Sequence, residues 1–474
     1  MAIGDLSNSQ QTHAGSVEQL PRINLFTMFR LGLVQMGLGI MAILMLGVLN
    51  RIMIQELAIP ATIVGGCLAM YQFVAPARIW FGQMSDSRSI LGYHRTGYVW
   101  VGSALFATLA FVAVQVVWQL NRSAATVGWS GATYGWVAFL AFIFALYGLC
   151  ISSTATPFFA LMVDVSDEDN RGKLVGIVWS MLTIGIGLGA GISSGLLRGI
   201  TPETLEQIIN RLFLVIPALV FTLVILATFG VEKKYSRFRY RTRRSQGDDP
   251  LTLRAALKVL TASRQTGFFF SYLVLLILGM FMQQPILEPY AGEVIGMTVA
   301  ESTFLNIFWS LGSLVSLGLT GFLIVPRLGK KPTAKLGCLL IAGSFVLIVL
   351  AGFTGMPNLL RVSLVLFGLA IGVATGSSIS LMLDLTTAET AGTFTGLWGL
   401  AQAFSQAIST LSGGVMLDLG RQLFTTPVLA YGLVFGLESI FVLLAIALLR
   451  RVNVAEFRAN AQQAIAIVAN HDLS

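Results

Sequence analysis

A few polar side chains interrupt long apolar stretches of this chain, and any chemistry must start from them. Glu438 sits near the centre of the apolar run from Tyr431 to Leu449. A carboxylate at mid-membrane depth is costly, so it marks a proton carrier or a ligand contact unless it is a protonated acid bonded to a neighbour. Glu288 lies in Gln283-Gln284-Pro285-Ile286-Leu287-Glu288-Pro289, where two prolines bracket the acid. Proline removes a donor and breaks a helix, and carbonyls freed in lipid must face protein or a wet cavity. Gln283, Gln284, Glu288 and Glu438 are therefore ligand-facing candidates. Gln35 and Gln72, polar groups inside the first two apolar runs, join them, with a bond to a neighbouring helix as the other reading of such a Gln.

A second set lies at the ends of apolar runs. Arg78 and Asp86 flank Gly82, and Arg78 either gates or snorkels to the interface. Asp164 is followed by Asp167, Glu168, Asp169, Arg171 and Gly172, and Asp384 by Glu389 and Gly392. Acids just ahead of a helix suit its positive N-terminal dipole, worth about 0.3 to 1 kcal/mol each. Arg171 has no basic counterpart, because Ala391 stands in its place.

The elements that must position these groups come in two copies. Leu161-Met162-Val163-Asp164 with Gly172 and Gly176 repeats as Leu381-Met382-Leu383-Asp384 with Gly392 and Gly396, at a constant offset of 220 residues. At the same offset Gly185 and Gly189 answer to Ser405 and Ser409, each pair on one helix face. Gly187, Gly191 and Gly195 form a further small-residue face that predicts close packing, with a bulky ligand in the space as the other reading. Apolar runs long enough to cross a bilayer, about 20 residues, fall near 28–49, 59–82, 98–119, 135–162, 173–198 and 211–230, then near 267–288, 302–325, 333–353, 359–383, 393–417 and 427–449. Such runs are helices, since a lone segment in lipid must satisfy its own backbone. The expected fold is an all-α integral membrane protein of twelve transmembrane helices in two pseudo-symmetric six-helix halves. The expected divisions are an N-terminal tail (1–24), a first half (25–230), a basic linker (231–266), a second half (267–450) and a C-terminal tail (451–474).

Composition agrees. The chain is 55% hydrophobic and 11% charged, well below the roughly 25% charge of a soluble domain, and its mean hydropathy is +0.79. Of 30 Lys and Arg, only Arg51, Arg122, Arg198, Arg211, Arg361 and Arg421 fall on one side of the alternating links. The excess on the other side places both termini in the cytoplasm. The net charge of +8 is then a topology signal with some headgroup contact through Lys233 to Arg244, and no nucleic-acid footprint. Residues 1–19 are polar and lack a signal-peptide core. Cys67, Cys150 and Cys338 lie far apart in predicted spans and read as small apolar residues, so no metal site is expected.

The link Asp86-Ser87-Arg88 to His94-Arg95, with its partner from Gly321 to Lys331, resembles the link after the second helix of each half in the major facilitator superfamily. Asp86 stands where that pattern has its acid, whereas Gly92 and Arg95 arrive late and Pro326 replaces the acid in the second copy. The resemblance implies a cytoplasmic latch at Asp86. The Asp164 to Gly172 link is similar to another recurrent pattern of the superfamily, implying gating roles for Asp164 and Arg171 in the first half. Within the superfamily the chain resembles the PucC-type group through Gly47-Val48-Leu49-Asn50-Arg51-Ile52-Met53-Ile54-Gln55-Glu56-Leu57, Leu287-Glu288-Pro289-Tyr290-Ala291-Gly292-Glu293-Val294-Ile295-Gly296-Met297 and the Leu-Met-x-Asp pair.

That resemblance implies handling or delivery of chlorophyll or bacteriochlorophyll during assembly of light-harvesting complexes. Antenna or photosystem polypeptides would be partners, lipid would surround the protein, and the location would be the cell inner membrane or a thylakoid. The pigment would be cargo rather than a tightly bound cofactor. His13, His94 and His471 all lie outside the spans, so a magnesium donor would be Gln, Asn, Glu, a backbone carbonyl or water. The competing expectation is a proton-coupled secondary transporter of a small solute using Glu438 or Glu288. An enzyme is not expected, because the chain carries no P-loop, nucleophile elbow or HExxH.

Overall fold

The computed structural model describes residues 23–166, 168–236, 264–384, 391–453 and 456, and its regular elements are all helices. Helix α1 (Leu25–Glu56) opens at Asn24, whose side chain accepts from the Thr27 amide at 2.8 Å. It contains two π-helical turns, Ile43–Val48 and Ile52–Glu56. Each adds a residue to its turn and so rotates the following side chains by about 100°.

The second predicted span is broken into α2 (Ala61–Phe73) and α3 (Ala77–Ser87), with Pro76 at the break. Four long helices follow: α4 (Thr96–Val127), α5 (Gly131–Val165), α6 (Glu168–Leu196) and α7 (Leu205–Thr228). Gly230 then takes a left-handed conformation (φ 75°) that turns the chain into the short α8 (Val231–Tyr235). The second half begins with α9 (Arg264–Phe281) and α10 (Leu287–Glu293), separated at Pro285. Helix α11 (Val299–Leu319) starts with a Thr298/Glu301 capping box and continues through a π turn to Leu328. The last four are α12 (Lys330–Thr354), α13 (Pro357–Asp384), α14 (Ala391–Leu423) and α15 (Pro427–Arg451).

Among the described residues nine helices are long and apolar enough to cross a membrane. The second, seventh and eleventh predicted spans are not among them. Proline breaks shorten the first two, and α14 is rich in Gln, Ser and Gly. Most of the predicted linker, from residue 237 to 263, lies outside the described residues.

The repeat is visible in the packing. Helix α1 lies against α6 and α7, and α4 against α5 and α7; in the second half α9 lies against α14 and α15, and α12 against α13 and α15. Across the halves α2 meets α14 and α6 meets α11. A Cβ on Gly185 would clash with the Met36 carbonyl, and one on Gly189 would lie 2.9 Å from Ile40 Cα, so these two glycines let α6 approach α1. Their counterpart Ser409 donates to the Ile277 carbonyl of α9 at 3.4 Å. The row Gly187, Gly191 and Gly195 behaves differently from the close packing expected. Its first two members stand at ordinary contact distance from Ser310 and Ile307 of α11, and a Cβ on Gly195 would meet nothing within 4 Å.

Gly185→Ala is expected to lower stability by about 1–3 kcal/mol through overpacking, whereas Gly191→Ala should stay within about 0.5 kcal/mol. Thermal unfolding in detergent, followed by tryptophan fluorescence, checks both; equal midpoints would remove the role assigned to Gly185.

Candidate functional site

The groups that join the two halves cluster on the side of the bundle opposite the termini. The first π turn of α1 precedes Asn50 and Arg51, and both are buried. Asn50 donates to the Pro285 carbonyl at 2.6 Å, filling an acceptor that the break between α9 and α10 leaves open. Arg51 donates to the carbonyls of Met297 (2.9 Å) and Thr298 (3.1 Å) and to the Ser302 hydroxyl, and lies 3.8 Å from Glu56. Glu288 fits against Gly47, where any Cβ would strike its carboxylate, and accepts from Asn306 (2.7 Å) and Thr303 (3.2 Å). Asn50 and Arg51 thus bond the second half directly, while Glu288 packs on Gly47 and bonds within its own half. Together they seal the end of α1 against the break after α9, α10 and the start of α11.

One further contact extends the seal, and another braces the second half beside it. Asp418 of α14 accepts from the amides of Ala61 (3.1 Å) and Thr62 (2.7 Å), capping α2 from the other half. Arg421, one turn on, donates to Glu293 at 2.6 Å, and the Tyr431 hydroxyl donates to the same carboxylate at 2.8 Å. Gly65 and Gly414 permit this approach, since a Cβ on either would run into backbone of the facing helix.

Deeper in the second half, Glu438 is fully buried and accepts from the Gln283 amide at 2.7 Å. It takes up a donor released where α9 ends, so the acid on α15 holds the broken helix. The Gln283 side chain donates to the Met280 carbonyl (3.3 Å), and Gln284 is half-buried. Gln35 is buried in α1, and Gln72 is half-buried beside the break between α2 and α3. The ligand-facing candidates therefore do not form one cluster: Glu288 belongs to the seal, Gln283 and Glu438 to the helix break, and Gln35 and Gln72 to the first half.

On the terminal side, Arg95 organises the first half. Buried at the start of α4, it pairs with Asp86 at 2.5 Å and Asp164 at 3.0 Å and donates to the Ser85 hydroxyl at 2.6 Å. Glu232 of α8 accepts from the amides of His94 (2.8 Å) and Thr96 (2.6 Å), capping α4. Asp86 and Asp164 are thus brought together by Arg95, a residue that enters the sequence pattern only as a displaced base. Arg78 is half-buried, and its Nε lacks a hydrogen-bond partner. The side chains of Arg171 and Asp384, and Glu389 as a whole, lie outside the described residues. Asn50, Asp418 and Glu232 were missed as site residues because their partners are backbone groups more than 100 positions away.

Helix pairs repeated across two halves and joined at one end form a fold shared with solved membrane transporters. The chain superposes with a TM-score of 0.67 on a bacterial homolog of the human lysosomal transporter Spinster in an inward-facing, unoccupied conformation (13% identity; 92% of this chain, 98% of that one). It superposes with 0.64 on a bacterial homologue of the iron transporter ferroportin in an inward-facing state (14% identity; 90% and 99%). The profile of the PUCC protein family matches residues 48–457, and the chain belongs to that family. Similar proteins include the "Bacteriochlorophyll synthase 44.5 kDa chain" of Rhodobacter capsulatus, 30% identical over 427 residues (88% of this chain, 93% of the relative). "Protein PucC" of Rhodobacter capsulatus is 28% identical over 441 residues (91% and 92%), and "Protein PucC" of Rhodovulum sulfidophilum 28% over 415 (85% and 87%).

Arg95→Ala leaves Asp164 buried without its cation and should cost about 3–5 kcal/mol, with Arg95→Ala/Asp164→Ala recovering part of the loss; thermal midpoints of the four proteins decide. If Glu438 acts as an acceptor for backbone, Glu438→Gln should keep near-native stability while Glu438→Leu loses about 1–3 kcal/mol. Equal loss in both would assign the carboxylate another role.

Proposed function

We propose that this protein handles chlorophyll-type pigment in the membrane during assembly of light-harvesting complexes, with no catalytic step of its own. The observation that carries the reading is the match to the PUCC protein family over residues 48–457, together with a relative named for bacteriochlorophyll that aligns over 88% of the chain. The geometry agrees in one respect. Of the two acids that a solute–proton mechanism would use, Glu288 accepts from Asn306 and Thr303, while Glu438 accepts from the Gln283 amide through one oxygen and keeps the other buried without a partner. A helical interior that holds Glu288 in hydrogen bonds of its own suits an apolar cargo better than a hydrated one.

In this reading the pigment is cargo, antenna or photosystem polypeptides receive it, and the terminal side faces the cytoplasm of a cell inner membrane or thylakoid. The magnesium donor would be an oxygen ligand, and the half-buried amides of Gln72 and Gln284 are freer for that task than Glu288 or Glu438. Asp86, Arg95 and Asp164 hold the terminal side of the first half together, as the resemblance to the superfamily suggests for a latch.

Protein purified gently from a phototrophic host is expected to carry a red absorbance band of chlorophyll or bacteriochlorophyll and to retain antenna polypeptides. A deletion strain with normal antenna content and a colourless, partnerless preparation would refute the assignment.

A further inference from the structure

On the side opposite the termini the two halves enclose a cavity of about 890 Å³, and three of the six arginines on that side line it: Arg51, Arg198 and Arg361. They come from α1, the end of α6 and α13, so the tertiary fold collects them from three separated stretches. Two acids share the lining. Glu56 lies 3.8 Å from Arg51, and Glu301 is occupied in the capping box with Thr298. The cations outnumber the acids by one. Arg51 is 1% exposed, and its Nε has no hydrogen-bond partner; the Gln55 carbonyl oxygen on the same wall is likewise buried without one. Buried polar atoms are ordinarily paired, and the two residues that carry these unpaired ones both line the cavity.

Beside the cavity α6 and α11 leave an apolar wedge. Along α6 and α11 the separation grows toward this side: a Cβ on Gly187 would lie 3.5 Å from Ser310, one on Gly191 3.7 Å from Ile307, and one on Gly195 meets nothing within 4 Å. Leu197 and Phe304 line the cavity at the mouth of that wedge, and Phe304 is 40% exposed. The site therefore offers cations at the membrane surface and an apolar slot leading from them toward the membrane interior.

We propose that this cavity binds an anionic amphiphile, its phosphate held by Arg198 and Arg361 with Arg51 behind them, and its chain lying between α6 and α11. Guanidinium groups match phosphate oxygens in a forked geometry, and the net positive lining repels the choline cation of a zwitterionic headgroup, which an anionic one lacks. Seated there, the lipid would bridge the two halves at the same end as the Asn50 and Arg51 contacts and favour the sealed state by mass action.

The full-length protein is placed in nanodiscs of phosphatidylcholine alone or with phosphatidylglycerol, and lipid retained after extraction is counted by native mass spectrometry. Phosphatidylglycerol should be retained over phosphatidylcholine by roughly tenfold, and Arg198→Gln/Arg361→Gln should reduce the preference to about one. Gly195→Leu fills the wedge without touching charge, and it should lower retention of phosphatidylglycerol several-fold, which also decides the matter if the double variant does not fold. No preference in the native protein, or an unchanged preference in both variants, overturns the site. Displacement of the lipid by inorganic phosphate at equal concentration would show that only the head is recognised and overturns the amphiphile.

Discussion

A helix broken inside a membrane leaves backbone donors and acceptors that lipid cannot satisfy, and this protein is arranged around meeting that demand at Pro285. Asn50 reaches across from α1 to the Pro285 carbonyl, and Glu438 reaches from α15 to the Gln283 amide. Each supplies one side chain to one orphaned group. In doing so they tie α9 to the first half on one face and to its own half on the other. The break is thus a joint, and the seal between halves is built on it.

The two ends of the bundle use different physics. At the opposite side, most contacts between halves run from side chains to backbone: Asn50 to Pro285, Arg51 to Met297 and Thr298, Asp418 to Ala61 and Thr62. At the terminal side, Arg95 gathers Asp86 and Asp164 in the first half, and Glu232 caps α4.

The duplication is chemically uneven. Gly185 and Gly189 of α6 touch α1 through bare backbone, while the equivalent Ser409 of α14 adds a hydroxyl bond to α9. The break at Pro285 exists in the seventh predicted span, whereas in the first the corresponding stretch stays helical through π turns. One half is continuous where the other is interrupted. That difference is what lets Asn50 and Arg51 project into the gap left by α10.

The helical class, the duplication, the break at Pro285 and the family resemblance were all legible along the chain, because each rests on local composition or on letters repeated at a fixed offset. The apolar runs predict helices for a reason lipid enforces, and proline acts on its own backbone. The partners were not legible. Glu438 reads as a lone acid until α9 is set against α15, and Arg95 as a misplaced base until α3, α4 and α5 converge on it. The π turns that aim Asn50 and Arg51 leave no mark in apolar periodicity, and the three arginines of the cavity are separated by more than a hundred residues each. Long-range polar contacts depend on which helix ends meet, and only the packed bundle decides that.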